Sequence, residues 1–167
     1  MLQLITIQLG QYYIGFDLKK VVKVIAAQSI IEISEKPDFV LGLLDFYGEV
    51  IAVIDMHKRL NINTTHQIEL TDKFVLIETE KRKIAFKADD VLDVKLFETE
   101  QVVNSQIVFA GARFISLVKS DEKIIYVYDT EAILSSNELI DIEQLTQKIQ
   151  FNKCSLVHPS YKLLANV

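Results

Sequence analysis

Hydrophobic residues alternate with polar ones along most of the chain, but one segment breaks this alternation. Val50–Ile54 contains five consecutive residues without a polar side-chain atom, several of them β-branched. Such a run is too short for a core helix and predicts a strand buried on both faces. Before it, Gly48 can take the positive φ of a tight turn. After it, Asp55 can accept hydrogen bonds from the backbone of a short helical turn at Met56–Leu60.

The alternating segments predict the other strands, most of them half-buried. Gly15 lies inside one of them and indicates a bulge or a close backbone approach. Pro37 predicts the start of a brief helix, because proline at a first-turn position loses no hydrogen bond. The predicted strands are Ile5–Leu9, Ile14–Leu18, one reached through a helical turn between Leu18 and Ile25, Ile30–Ile33, Phe74–Ile77, Ile84–Phe86, Val91–Phe97, Phe109–Lys119 and Lys123–Tyr128.

A longer helix is predicted near the end of the chain, over residues 136–150. Ser136 suits its N-cap, and acidic side chains follow near the positive end of the helix dipole. Its apolar stripe consists of Leu139, Ile142, Leu145 and Ile149. Residues 151–167 have a mixed composition, and we leave them as a tail of unknown role.

The two halves of the chain repeat the same hydrophobic pattern. An offset of 70 residues superposes positions 4–24 on 74–94, and an offset of 74 superposes positions 50–55 on 124–129. Alternation alone does not explain why an aspartate follows the apolar strand in both halves. We therefore predict a mainly β protein with two small five-stranded, SH3-like β-barrels packed together, over about residues 1–65 and 70–135.

Composition narrows the class of protein. The chain has 167 residues, half of them hydrophobic, and a formal net charge of −5. We expect a folded domain, and the negative charge disfavours nucleic acid or an anionic membrane as a partner. No apolar run reaches the roughly 20 residues of a membrane helix, and the N-terminus has no basic secretory segment. Cys154 is the only cysteine, which fits a reducing cytoplasm.

Residues that could carry catalysis or bind a metal are scattered. His57, His66 and His158 share no metal-ligand spacing, and His57 is expected to be solvated. Asp89 and Asp90 are adjacent, so their carboxylates should point apart in a solvated turn. The glycines do not cluster into a phosphate-binding loop. No nucleophile motif surrounds the other candidates, and we predict a non-enzymatic protein without a cofactor or metal. Those candidates are Ser34, Ser116, Ser155 and Cys154.

The segment around the buried strand resembles the signature of the CheW-like family, the bacterial chemotaxis coupling proteins. The matching features are Gly42, Gly48, the apolar strand and Asp55. Two other segments also look like that family: residues 9–18, as its first hairpin, and residues 37–40, as the lead-in to Gly42. The resemblance covers about residues 4–140. It implies a CheW-like domain over residues 1–140 whose two barrels can exchange strands.

The resemblance also implies a function and partners. Such a protein is an adaptor that couples the cytoplasmic tip of a chemoreceptor to the regulatory domain of a CheA-type histidine kinase. In that family the receptor helix lies in an apolar groove between the barrels. The groove residues carried over by position are Val21, Lys23, Leu41, Gly42, Leu43, Leu44, Tyr47 and Gly48. For Val21 and Leu43, a place in the core is an equal alternative. The kinase contact is expected at Gln11, Tyr12, Leu139 and Ile140.

Two positions depart together from the family's pattern. Where the family usually carries a glutamate and an arginine paired across the groove, this chain has Lys23 and Tyr47. Joint replacement leaves no unpaired charge, so we expect the two residues to be neighbours, with the ring over the lysine side chain. The departure leaves two further functions open, a divergent module of another motility or two-component system and a fragment of a larger kinase.

A nucleic-acid-binding barrel is the remaining alternative. It would need a basic stripe with stacking aromatic side chains. The chain offers only the short basic run Lys81–Lys83, which reads as a solvated hairpin tip.

Overall fold

A computed structural model describes residues 1–63, 68–109 and 112–156. These residues form eleven strands and two α-helices, joined by turns. The strands are β1 (Leu2–Leu9), β2 (Tyr12–Asp17), β3 (Val21–Ala26), β4 (Val40–Phe46), β5 (Glu49–Asp55), β6 (Lys73–Glu78), β7 (Lys83–Ala88), β8 (Asp90–Phe97), β9 (Val102–Phe109), β10 (Ala112–Ser120) and β11 (Lys123–Tyr128). The helices are α1 (Met56–Arg59) and α2 (Ser136–Leu156).

The strands form two mixed sheets, which confirms the prediction of a mainly β fold. The six-stranded sheet has the order β8-β1-β2-β11-β10-β9, and the five-stranded sheet has the order β3-β6-β7-β5-β4. Each sheet takes strands from both halves of the chain. The hairpin β1–β2 pairs with β8 and β11, and the hairpin β6–β7 pairs with β3 and β5. The six-stranded sheet has one strand more than the five predicted for each barrel, and the additional strand is β9.

The internal repeat is visible in the registers of the two sheets. Ile5 lies opposite Phe16 in the β1–β2 hairpin, and Val75 lies opposite Phe86 in the β6–β7 hairpin, 70 residues later. The parallel pairing of β11 with β2 corresponds in the same way to that of β5 with β7. Exchanging the two halves therefore converts one strand order into the other, apart from β9.

Three apolar clusters fill the part of the molecule that the structure describes. One receives side chains from all strands of the six-stranded sheet, and the second from all strands of the five-stranded sheet. An interior that every strand shares is typical of a small barrel. The third cluster joins the two sheets, where Phe16 stacks on Phe86 with ring centroids 5.2 Å apart and Tyr128 packs against both rings edge-on. We call the first two clusters the six-strand interior and the five-strand interior.

β5 is buried as its sequence predicts. Positions 50–54 are all buried, and the Asp55 carboxylate accepts hydrogen bonds from the N–H groups of His57 at 3.0 Å and Lys58 at 3.3 Å. The equivalent Asp129 accepts from the N–H of Glu131 at 3.1 Å. β11 itself is buried over only part of its length, because Ile124 is half-exposed.

Three predicted elements differ from the structure. The segment at 30–33 is not a strand but a single antiparallel bridge, in which the Ile31 N–H donates to the Leu43 carbonyl at 2.7 Å and the Leu43 N–H to the Ile31 carbonyl at 2.9 Å. Pro37 begins a turn closed by the Val40 N–H at 3.0 Å, not a helix. The strand expected at 109–119 is β10. The strand before it, β9, was not predicted, because the polar residues at 104–106 interrupt its apolar pattern.

α2 begins where predicted, but Ser135 caps it instead of Ser136. The Ser135 hydroxyl accepts from the Glu138 N–H at 3.3 Å, and the Glu138 carboxylate accepts from the Ser135 N–H at 2.6 Å, forming a capping box. The Arg59 guanidinium of α1 reaches Glu138 at 3.3 Å and so fastens α2 to the barrels. The helix continues to Leu156, and the rest of the predicted tail lies outside the described residues.

One charged pair is buried near the end of β7. Lys87 is 1% exposed, and its Nζ lies 3.4 Å from Oδ2 of Asp72. Asp72 also accepts a hydrogen bond from the Glu69 N–H at 2.7 Å. A buried charge needs such partners, because desolvation would otherwise be costly.

Candidate functional site

The β4–β5 hairpin ends in a two-residue turn formed by Tyr47 and Gly48. Both residues have positive φ, 51° and 87°, as in a type I′ turn. The Asp45 carboxylate accepts from the Gly48 N–H at 3.0 Å and holds the turn. Glycine adopts this conformation freely, whereas a tyrosine with positive φ is uncommon and strained. The turn therefore presents an aromatic side chain where the backbone would favour a smaller residue.

Tyr47 belongs to a small exposed cluster with Phe46 and Lys23. Its side chain is 87% exposed, and its ring meets that of Phe46 edge-on with centroids 4.7 Å apart. The Lys23 Nζ lies 5.8 Å from the Tyr47 centroid and 5.9 Å from that of Phe46. These are cation–π distances, which confirm that Lys23 and Tyr47 are neighbours. We call these three residues the aromatic–lysine cluster.

The other residues predicted for the groove divide between core and surface. Leu43 and Leu44 are fully buried, Leu43 in the cluster between the sheets and Leu44 in the five-strand interior. Val21 and Leu41 are half-buried. Gly42 is buried where a Cβ would lie 2.5 Å from the Ile31 carbonyl oxygen, so glycine is needed there for packing. A contact of these residues with a partner stays a prediction.

A row of apolar side chains on β8 was missed in the sequence. Leu92, Val94 and Leu96 occupy alternate positions of this edge strand and are 38%, 49% and 50% exposed. The offset of 70 residues relates the first two to Val22 and Val24 of β3, the edge strand of the other sheet. The equivalence with Val22 and Val24 was the signal in the sequence from which this row could have been predicted. The row offers an apolar strip that a helix could contact.

The residues predicted for the kinase contact lie in two places. Gln11 is exposed in the β1–β2 turn, and Tyr12, next to it, is half-buried. On α2, Leu139 is half-buried and Ile140 is 52% exposed. Tyr12 also lines an apolar cavity of about 390 Å³, which it shares with Ile14, Leu60, Ile62, Ile107, Phe114 and Tyr126.

His57 is buried, contrary to the expectation of a solvated side chain. Its Nε2 lies 2.7 Å from Oδ1 of Asp89, whose Oδ2 accepts from the Gly10 N–H at 2.8 Å. Partial burial acts to raise the pKa of Asp89, but these hydrogen bonds and the positive charges nearby outweigh it and lower the pKa below its usual value. The contact joins α1 to the β1–β2 turn. Asp90 is exposed and accepts from the Val91 N–H, as expected for a solvated turn, but the same expectation is wrong for Asp89, which is half-buried against His57.

The described part of the chain offers neither a metal site nor a membrane-spanning helix. Within residues 1–63, 68–109 and 112–156, no three His, Cys, Asp or Glu side chains come together as a metal site. None of the helices there is long and apolar enough to span a membrane. The basic run at 81–83 is partly neutralised, since Arg82 lies 3.8 Å from Glu143 and Lys83 lies 2.8 Å from Glu49. Nothing in this run favours a nucleic-acid surface.

Comparison with known proteins gives a consistent result. Residues 3–138 match the family described as CheW-like domain. The chain is 28% identical over 150 residues to a chemotaxis protein CheW of Treponema pallidum, covering 86% of this chain and 88% of that protein. It is 24% identical over 142 residues to a CheW of Klebsiella aerogenes, covering 83% and 85%. The fold is similar to the scaffolding protein TtCheW from Thermoanaerobacter tengcongensis, with a TM-score of 0.75, 22% identity, and 82% and 94% coverage.

Proposed function

The chain belongs to the CheW-like domain family, and from this premise we propose that it couples chemoreceptors to a CheA-type histidine kinase in a cytoplasmic signalling array. It acts there as a non-enzymatic scaffold. Its partners are the receptor's cytoplasmic tip and the kinase's regulatory domain, which it binds through separate surfaces. Neither contact requires chemistry, so the function depends on shape and charge at these surfaces.

The main support for the proposed receptor contact is the aromatic–lysine cluster, which lies beside an edge strand. Tyr47 is almost fully exposed although its backbone is strained, and Phe46 and Lys23 hold its ring in place. Exposed aromatic anchors of this kind dominate binding energy in many interfaces. Val21 and Leu41 flank the cluster along the chain and add partly exposed apolar surface.

The chemistry of the cluster also indicates what it binds. A glutamate–arginine pair, usual in the family, is replaced by a cation and a phenol ring. Lys23 can accept an acidic side chain from a partner helix, while Tyr47 covers apolar residues next to it. A receptor tip, or the equivalent helix of a related motility system, that offers an acidic residue beside an apolar one fits this surface.

Calorimetry of the full chain against a receptor-tip coiled-coil fragment tests this contact. Tyr47→Ala should weaken binding about tenfold or more, as expected for an interface anchor. Asp121→Ala is the matched control, because Asp121 occupies the equivalent turn position in β10–β11 and also has a φ of 51°. Unchanged affinity with Tyr47→Ala, or with the double variant Tyr47→Arg and Lys23→Glu, would show that the groove is assigned wrongly.

The kinase contact needs its own experiment, because the two surfaces are separate. Titration with a CheA-type regulatory domain should show binding that Ile140→Glu weakens and Tyr47→Ala leaves unchanged. Ile140 is half-exposed on α2, so the substitution adds a charge without disturbing the core. If Ile140→Glu binds the kinase domain with unchanged affinity, α2 is not part of the kinase interface.

A further inference from the structure

The apolar cavity of about 390 Å³ beside Tyr12, which we call the Tyr12 cavity, has a counterpart in the other half of the chain. The offsets of the internal repeat relate four of its lining residues to buried residues elsewhere. The pairs are Ile14 with Ile84, Leu60 with Leu134, Phe114 with Val40 and Tyr126 with Ala52. The registers agree with these pairs, because the β2–β11 ladder sets Ile14 opposite Tyr126 and the β7–β5 ladder sets their counterparts opposite each other.

The helix α2 covers the counterpart. It packs on β5, and Leu139 from its first turns lies beside Ile84 and Leu134, with which it lines a cavity of about 90 Å³. Ile142, three positions further along the helix, is fully buried in the apolar cluster that contains both of these residues. Side chains three apart lie on one face of a helix. In the second half of the chain this place is therefore a docking surface for a helix.

The first half supplies no such helix among the residues that the structure describes. α2 begins at Ser136, and the offset of 74 residues makes Ile62 its equivalent. Among the residues described between α1 and β6, none is helical. The Tyr12 cavity is several times larger than the cavity beside α2, and four of its lining residues are only half-buried. A cavity of this size that is lined mainly by apolar side chains is typical of a binding site.

The walls of the two places differ in a way that defines the occupant. Phe114 and Tyr126 stand where the α2 site has a valine and an alanine, so the Tyr12 cavity offers aromatic rings to aliphatic side chains. Tyr12 stands where the α2 site has Arg82, whose guanidinium lies 3.8 Å from the Glu143 carboxylate of α2. A helix in the Tyr12 cavity therefore needs aliphatic side chains, but it needs no acidic residue at the position of Glu143.

We propose that the Tyr12 cavity is a docking site for an amphipathic helix of a partner protein. This helix places two aliphatic side chains, three positions apart, against β2 and β11, as α2 does against β7 and β5. The inference rests on the internal repeat and not on the proposed coupling function, although Tyr12 is also one of the residues predicted for the kinase contact.

A peptide derived from α2 is the probe, because its apolar stripe already fits the equivalent surface. The peptide has the sequence of residues 135–150 and is held helical by a hydrocarbon bridge on the face opposite the stripe, since a free helix of this length is marginal in water. Added to the ¹⁵N-labelled full-length chain, it should shift the amide resonances of Tyr12 and Ile62, with a dissociation constant of about 100 μM for so small a contact. The same peptide with Leu139→Ala and Ile142→Ala should not bind.

Two variants of the chain test the position of the peptide. Ile107 lines the Tyr12 cavity from β9, so Ile107→Glu should weaken peptide binding at least tenfold. Val108→Glu is the matched control, because the next residue of a strand points to the opposite face and Val108 is 68% exposed. Ile62→Glu repeats the test from the segment after α1, in case Ile107→Glu does not fold. Far-UV circular dichroism measures the folding of all three variants.

Three results would overturn the proposal. One is a peptide that does not bind at 1 mM. The second is a peptide that shifts the resonances around Ile84 and Leu134 instead, which would mean that it exchanges with α2 at the site already filled. The third is an affinity that Ile107→Glu and Ile62→Glu leave unchanged. None of these results bears on receptor or kinase binding, which the titrations with those partners measure separately.

Discussion

The interiors of the two barrels share one backbone plan but are filled differently. At equivalent ladder positions the five-strand interior has Leu76 and Ala85, where the six-strand side has Thr6 and Gly15. The smaller residues do not leave a gap at Gly15, because a Cβ there would lie 2.9 Å from Cγ2 of Ile125. Neighbouring side chains have moved into the space. A repeated backbone therefore does not require repeated packing, provided that the sum of side-chain volumes is conserved.

Charged residues are also placed differently in the two sheets. At one pair of equivalent positions, Lys87 is buried against Asp72, while Asp17 is half-exposed and accepts a hydrogen bond from the Lys19 N–H. The same ladder position can therefore be a surface turn residue in one sheet and a buried ion in the other. Stability should respond unequally when the two positions are changed.

The largest effect is expected from breaking the buried pair. Asp72→Asn keeps the shape of the side chain but leaves the Lys87 ammonium buried without a carboxylate, and we expect a loss of about 3 kcal/mol in the free energy of unfolding. Asp17→Asn, at the counterpart of Lys87, should cost less than about 1 kcal/mol. Urea denaturation followed by circular dichroism measures both. Equal losses would mean that the burial of Lys87 has no energetic consequence.

The second comparison concerns two glycines with different neighbours. A Cβ at Gly42 would lie 2.5 Å from a backbone carbonyl, whereas one at Gly15 would meet side-chain atoms of Ile125 and Leu4. Backbone cannot yield as side chains can, so Gly42→Ala should cost about 2–3 kcal/mol and Gly15→Ala about 1 kcal/mol. Thermal unfolding of the two variants side by side decides the order. A larger loss for Gly15→Ala would contradict this account of the close approach between Gly42 and the Ile31 carbonyl.

The smallest effect is expected to be a gain. The Thr6 hydroxyl is buried, and it has no hydrogen-bond partner among the residues that the structure describes. Removing it in Thr6→Val should raise the free energy of unfolding by about 1 kcal/mol, because an unsatisfied polar group is replaced by a methyl group. Leu76→Thr places the same hydroxyl in the five-strand interior and should destabilise. Denaturant titrations measure both, and a destabilised Thr6→Val would mean that the hydroxyl is solvated.

Local chemistry was predictable where the decisive partner lies nearby in sequence. Val50–Ile54 and the Asp55 cap follow from five apolar residues and one carboxylate. The repeat predicted which positions are equivalent, and the registers agree with it. The proximity of Lys23 and Tyr47 followed from their joint departure from the family's pattern, and it is present in the structure.

Features that depend on distant partners were not predictable. His57 is buried because Asp89, on a different turn, accepts its hydrogen bond, and nothing in the local sequence shows this. The separation of Leu43 and Leu44 into two clusters depends on which sheet packs on each face of β4. Two similar halves also cannot reveal whether a hairpin pairs with its own half, because both pairings satisfy the same hydrophobic pattern.

The exchange of strands between halves has a consequence for synthesis of the chain. The five-stranded sheet is complete once β7 has left the ribosome, but the β1–β2 hairpin gains its parallel neighbour only when β11 emerges. The β1–β2 hairpin is synthesised first but is among the last elements to pair with its neighbours. Its edges therefore stay unpaired while most of the chain is translated. An mRNA truncated after β7 would give a product in which β1 and β2 have no six-stranded sheet to join.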